Sequence, residues 1–237
     1  MPDLVDSASA TLSQSQQRAE IAGQNIANST TPGYKRRISF AELVDTRTSG
    51  GAAGAQIGSA IDPAPGKLVQ TGNPYDLAIS GPGYFAVRRD DAIRYVRAGR
   101  FTRSAEGRLV DAFGGALQKA DGNDLVVTDT DLKVLASGEV AADGAGRGSG
   151  AVGIFAPVDG TALPPIVGGF AEPPSGMSPA EEAEVVQGAY EASNVSTGDE
   201  MVALMQAIRQ AESGQRVMIA YDDLMGRVLS TVGDSVR

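Results

Sequence analysis

Histidine, cysteine and tryptophan are all absent from this 237-residue sequence. Without histidine there is no Ser-His-Asp arrangement, and the commonest general base and metal ligand are gone. Without cysteine there is no disulfide framework, thiol nucleophile or thiolate zinc site. Aromatic residues make up only 5% of the chain, against 30 glycines, which points to many turns and a thinly spread core. No apolar run approaches the ~18 residues of a membrane span, so membrane insertion is not expected. The start, "MPDLVDSASA", lacks the basic and apolar regions of a cleaved signal peptide. Basic surface is scarce too. The net charge is −9, and the one dense basic run, Lys35-Arg36-Arg37, reads as a solvated edge beside a turn. Nucleic acid, which needs a counterion-displacing face, is not an expected partner.

What is present is concentrated at the two ends. Leu4, Ala8, Leu12, Ser15, Ala19, Ala22 and Ile26 recur at steps of three and four, predicting a helix over 4–28 with one narrow stripe of small residues. Such a stripe buries too little to hold a lone helix. A matching segment lies at the far end. Met201, Ile208, Gln215, Asp222 and Leu229 form one heptad series, and Leu204, Ala211, Met218, Met225 and Val232 form the other. Thr197 and Glu200 stand in capping-box spacing at its start. Gly214, inside the helix, predicts close helix approach.

Between the ends the period changes from near 3.6 to 2. "YDLAISGPGYFAVRR", "AIRYVRAGRFTRS", "GRLVDAFGGALQ", "DLVVTD", "DLKVLASGEVAA" and "AVGIFAPV" are short, turn-bounded runs that predict antiparallel strands. Residues 46–66 are rich in Gly, Ala and Pro and read as a linker or extended arm. Over 178–192 a short helix and an extended return strand both fit. The fold class is therefore α+β. Terminal helices form a coiled-coil-like core domain, and an antiparallel β domain is inserted between them. The expected segments are 1–30 (N-terminal core helix), 31–70 (turn, arm and linker), 71–177 (β-rich outer domain), 178–197 (return segment) and 198–237 (C-terminal core helix).

Candidate chemistry is sparse. "GPGYFA" matches Gly-x-Gly-x-x-Ala, but strand follows where a phosphate-binding helix must stand. Asp121, Asn123, Asp124 and Asp129 carry oxygen ligands without EF-hand spacing, so a hairpin turn is expected. Glu106, Asp111, Glu139 and Asp143 could serve as paired carboxylates only if two converged, as in glycosidases. No enzyme activity, metal or cofactor is expected.

"NIANSTTPGYKRR" resembles the N-terminal signature of the bacterial flagellar rod and hook proteins, Asn-x-Ala-Asn followed by Thr-x-Gly-(Phe/Tyr)-(Lys/Arg). "YDLAISGPGYFAVRR" with "YVRAGRFTRSAEGRLVDAFGGALQ" is similar to that family's central block. "QGAYEASNVSTGDEMVALMQAIRQAE" is similar to its C-terminal signature. Ala211 departs from the pattern, standing where the family often has an aromatic residue. The resemblance implies an inner layer of a helical tube made from 1–28 and 198–237, with the β domain outside. Asn25 and Asn28 would bond neighbouring helix ends or the turn. Pro32 and Gly33 would stop the helix, with Gly33 at positive φ, and Tyr34 would anchor the turn. Leu12, Ile26, Asn194, Met201, Leu204, Ile208, Met218 and Met225 complete the implied assembly residues. The implied partners are further copies, related rod proteins and the flagellar type III export apparatus. The implied place is the rod of the basal body, spanning the periplasm, reached without a cleaved signal peptide. The connection from Tyr34 to Tyr75 is short, which resembles proximal-rod subunits. A distal-rod subunit and a monomeric carbohydrate-binding β protein are the alternatives.

Overall fold

The computed structural model describes residues 2–43, 55–127, 132–141, 150–160, 163–180 and 182–234. The chain divides into two compact units. One comprises residues 1–28, 37–62 and 195–237, and the other residues 29–36 and 63–194.

In the first unit, helix α1 spans Pro2–Ala27 and helix α2 spans Thr197–Asp234. Along α1 the small-residue stripe is real. Ala8, Ser15 and Ala22 are buried, and Leu12, Ala19 and Ile26 are half-buried. Ser15 tolerates burial because its hydroxyl donates to the Thr11 carbonyl at 2.7 Å, one turn back. The helices run antiparallel: Ala8 and Leu12 lie against Gly214, Arg18 reaches Gln210, and Asn25 reaches Glu200. A Cβ at Gly214 would sit 3.5 Å from the Ala8 carbonyl oxygen, so the backbones do approach closely there.

The two heptad series of α2 differ in burial only as far as Met218. Leu204, Ala211 and Met218 are half-buried alongside buried Ala207 and Gly214, whereas Met201, Ile208 and Met225 are exposed. Leu229 and Val232, like Leu4 on α1, lie outside the described side chains. Thr197 is the first helical residue rather than the cap, and the Glu200 carboxylate accepts from Asn25. Within the stretch expected as turn, arm and linker, β1 (Arg37–Leu43) and β2 (Ala55–Ile61) form an antiparallel ladder, from Arg37 opposite Ile61 to Leu43 opposite Ala55.

The second unit is β throughout its described residues. Its first strands are β3 (Leu68–Gln70), β4 (Leu77–Ser80), β5 (Tyr84–Arg89) and β6 (Ala92–Val96). The short strands β7 (Thr102–Arg103), β8 (Leu109–Val110), β9 (Ala116–Leu117), β10 (Lys133–Val134) and β11 (Val140–Ala141) follow. Then come β12 (Ile154–Pro157), β13 (Pro165–Ile166), β14 (Gly169–Phe170) and β15 (Met177–Pro179). The last are β16 (Glu184–Gln187) and β17 (Ala189–Glu191). The main sheet runs β13-β14-β6-β5-β9-β8-β7, with β12 joining β5 to β15, and every pair is antiparallel.

Leu77, Ile79, Phe85, Val87, Phe101, Leu109, Leu117 and Leu125 fill the core, with Phe85 and Phe101 edge to face at 5.7 Å. Gly81 and Gly83 hold φ of 107° and 131°, and β5 follows at once, so the Gly-x-Gly-x-x-Ala run opens no helix. Lys119 to Asn123 form the expected hairpin turn. Asp129 and Asp143 lie outside the described residues. Within the ambiguous stretch 178–192, residues 184–187 and 189–191 are extended, since β16 pairs β4 and β17 pairs β3.

Candidate functional site

Where α1 ends, the chain is held by buried polar side chains rather than by apolar packing. Asn25 is fully buried within the first unit. Its amide donates to the Arg37 carbonyl at 2.8 Å and accepts from the Arg37 N–H at 2.9 Å. This pairing mimics a strand ladder and fixes the start of β1 against the end of α1. The same amide donates to the Glu200 carboxylate at 3.0 Å, in the first turn of α2. Arg37 also reaches Gln24 and Ser59 with its guanidinium. Asn28 is used differently. Its amide donates to the Gln24 carbonyl, closing the last turn of α1 itself.

A second polar cluster lies wholly within the other unit, centred on Glu191, which is 1% exposed. Lys35 meets its carboxylate at 2.6 Å and Arg97 meets it at 2.5 Å. The Gly66 N–H donates to it at 2.7 Å. Lys35 also donates to the Ala64 carbonyl. Arg97 turns its remaining donors onto the carbonyls of Ile79, Gly81 and Gly83. The Gly-Pro-Gly break therefore serves to aim backbone oxygens at a buried guanidinium. Burial pushes the Glu191 carboxyl up, but its bonds to Lys35 and Arg97 outweigh this and hold it below the ordinary carboxylate value. Burial raises the neighbouring Tyr84 phenol, Glu191 adds to that rise and Arg97 opposes it.

Backbone bonds complete this cluster. The Gly33 N–H donates to the Glu191 carbonyl at 2.7 Å, and the Asn194 N–H donates to the Tyr34 carbonyl at 3.4 Å. Asn194 accepts from the Arg36 N–H at 2.6 Å and donates to the Ala64 carbonyl at 2.9 Å. Gly33 has φ of 66°, and a Cβ there would stand 2.2 Å from the Ala98 nitrogen. Only glycine fits. Tyr34 is half-buried.

The expected assembly residues thus separate by environment. Asn25, Gly33, Tyr34 and Asn194 belong to the two clusters, while Asn28 closes its own helix. Leu12, Ile26, Leu204 and Met218 are half-buried, and Met201, Ile208 and Met225 are exposed. Lys35, Arg97 and Glu191 are additional site residues that only the structure brings together, although each is a charged letter in one of the three signature stretches, and Glu200, expected in a capping box, accepts from Asn25. The basic run at 35–37 is no solvated edge, since Lys35 is buried and ion-paired and Arg37 is bonded to Asn25, Gln24 and Ser59. Among the described residues no group of three or more acidic residues is placed to hold a metal ion. Asp111 is engaged with Arg89 and with the Phe113 and Gly115 N–H groups.

Three family profiles match the chain in order. Residues 6–35 match the flagella basal body rod protein family. Residues 78–144 match the flagellar hook protein FlgE/F/G D1 domain, and residues 186–231 match the flagellar basal body rod FlgEFG protein C-terminal region. Lys35, Arg97 and Glu191 fall one in each, so the buried ion cluster joins all three. The chain is similar to the flagellar basal-body rod protein FlgF of Caulobacter vibrioides, 29% identical over 90% of this chain and 91% of that one. It is also similar to two FlgG rod proteins. That of Agrobacterium fabrum is 30% identical over 88% of this chain and 91% of its own. That of Bacillus subtilis is 27% identical over 91% and 93%.

Proposed function

Because this chain belongs to the flagellar basal-body rod and hook protein family, we propose that it is a structural subunit of the proximal rod, assembling into a helical tube that transmits torque. The carrying observation is the exposed apolar surface of α2, on which Met201, Met205, Ile208, Ile219, Leu224 and Val228 face outward. Met201, Met205, Ile208 and Ile219 recur at helical spacing along one side of α2, and exposed apolar surface of this kind marks an interaction face. The second unit, by contrast, closes over a core of its own. In this reading the first unit is completed by neighbouring subunits, and α1 and α2 become firmly ordered on assembly. Their seam then acts as a coiled-coil-like core domain. No bond chemistry is required; the function is stiffness.

The two buried clusters support the same reading. Torque passed along a shaft must cross from helices to β unit in every copy, and the chain makes that crossing four times, at 28/29, 36/37, 62/63 and 194/195. Asn25 holds residue 37 on one side of a crossing and Asn194 holds residue 36 on the other. Directional hydrogen bonds resist twisting where apolar contacts would slide.

The short connection from Tyr34 to Tyr75 favours a proximal position, and passage through the flagellum's own export apparatus goes with it. The distal rod is the second reading, favoured by the FlgG relatives that match most of the chain. A strain lacking the gene is expected to assemble no rotating flagella, and tagged protein is expected in purified basal bodies. Retained motility in that strain would overturn the rod assignment. Crosslinks from Tyr34 or Met218 to neighbouring rod proteins separate proximal from distal.

A further inference from the structure

One end of the β unit carries an unusual combination of exposed apolar and under-satisfied cationic groups. Phe113 is 59% exposed and Val167, at the tip between β13 and β14, is 80% exposed. The two adjoin, since a Cβ on Gly168 would lie 2.9 Å from the Phe113 ring. Arg89 stacks on that ring at 4.8 Å. Arg89 and Arg94 both reach the single Val167 carbonyl, each at 3.4 Å. Arg89 has an ion pair with Asp111. Arg94 has none among the described residues, and the Nε atoms of both arginines are buried without a hydrogen-bond partner. Two guanidinium groups share one long acceptor, an arrangement that leaves donor capacity unused. The acidic tip of this hairpin does not use it. Asp90 and Asp91 line a concave surface with Arg88, and strand alternation puts Arg88 on the face opposite Arg89 and Arg94.

A separate two-stranded ladder of the same unit, β10–β11, carries the complement. From Arg89 backbone pairing leads away through Arg88 opposite Ala116 and Val87 opposite Leu117. It continues to Lys119 opposite Val152 and Glu139 opposite Ala151. There the turn between β10 and β11 presents Leu135, 52% exposed, directly across from Glu139, whose exposed carboxylate is in no ion pair among the described residues. An apolar side chain beside a carboxylate fits an apolar patch beside an arginine.

We infer that the Arg89, Arg94, Phe113 and Val167 patch docks the Leu135–Glu139 turn of a second copy of this chain. Because the two faces differ and lie on different ladders of the unit, the contact is heterologous. It extends head to tail instead of closing a dimer. The inference rests on the assembly reading above and names one contact within it.

The absence of cysteine makes the test direct. In the full-length chain carrying Val167→Cys and Leu135→Cys, oxidation is expected to give a ladder of disulfide-linked multimers. Either single variant is expected to give no species beyond a dimer. Arg94→Glu is expected to slow ladder formation about fivefold or more, and adding Glu139→Lys is expected to restore it. These positions are exposed or partly exposed, and thermal unfolding of each variant matching the cysteine-free chain shows that the fold is kept. Absence of a ladder overturns the inference, and so does a ladder indifferent to both charge reversals. If motility still requires the gene in that case, the rod reading stands and only this contact falls. If motility does not require it, the rod reading has failed first.

Discussion

At the scale of single residues, the account turns on buried polar side chains that have no slack. Glu191 is ionised between two cations and a backbone N–H, and removing its charge leaves Lys35 and Arg97 buried and uncompensated. Glu191→Gln is expected to destabilise the β unit by about 3 kcal/mol, measured by chemical denaturation. Lys35→Met is expected to cost less, because Arg97 still neutralises the carboxylate. The same carboxyl sets an acid limit. Its folded value lies below the ordinary 4.5, so its stabilisation is complete above 4.5 and is lost as pH falls through the lower folded value. The wild-type β unit is therefore expected to lose stability with acidification over that window, and Glu191→Gln is expected to flatten the dependence. Asn25→Ala would strand the Arg37 N–H, the Arg37 carbonyl and one Glu200 acceptor. A loss of about 2–3 kcal/mol is expected in the helical unit alone, read by hydrogen exchange across α1 and α2 in the assembled state.

These residues mark the limit of what the sequence discloses. Lys35 was legible only as one of three adjacent basic residues, because its partner Glu191 lies 156 positions away and charge signs do not reveal pairing. Arg97 was hidden for the same reason, and Glu200 was legible as a capping residue but not as the partner of Asn25, 175 positions away. Gly33 was legible because a stop rich in Asn, Thr, Pro and Gly demands a residue at positive φ. The close contact that also forbids a side chain there comes from Ala98, which no local pattern names.

At the scale of elements, the helices were readable from period and the short strands from alternation. The β1–β2 ladder was not. "AQIGSAI" is too poor in β-branched and aromatic residues to signal a strand, and it is positioned by its partner β1 rather than by propensity. Residues 178–192 start like a helix, but pairing of β16 with β4 and of β17 with β3 overrides the cap-like Ser178-Pro179. In α2 the heptad pattern was legible but not which series turns inward. Gly214, whose place inside the helix predicts close approach, makes the close contact, and Ala207 is buried one heptad before it. The space beside Gly214 is that of ordinary van der Waals contact, and its φ is helical. Gly214→Ala is accordingly expected to stabilise the helix by about 1 kcal/mol, whereas Gly214→Leu is expected to force the helices apart. Thermal melting of the assembled protein followed by circular dichroism distinguishes the two.

At the scale of the whole molecule, one unit carries a complete core and the other carries helices with an apolar face turned outward. The three signature stretches, scattered along the chain, supply the residues that fasten each unit at the crossings. Family membership points to a structural role. On the proposed rod reading, the chain's work lies in holding shape under load. The most direct measurement is amide hydrogen exchange on the dilute, unassembled chain, resolved by peptide and repeated on assembled basal bodies. The account predicts slow exchange through β4, β5 and β9 in both states. Across α1 and α2 it predicts rapid exchange in the free chain and strong protection only after assembly. Equal, strong protection of α1, α2 and the β unit in the free chain would contradict it.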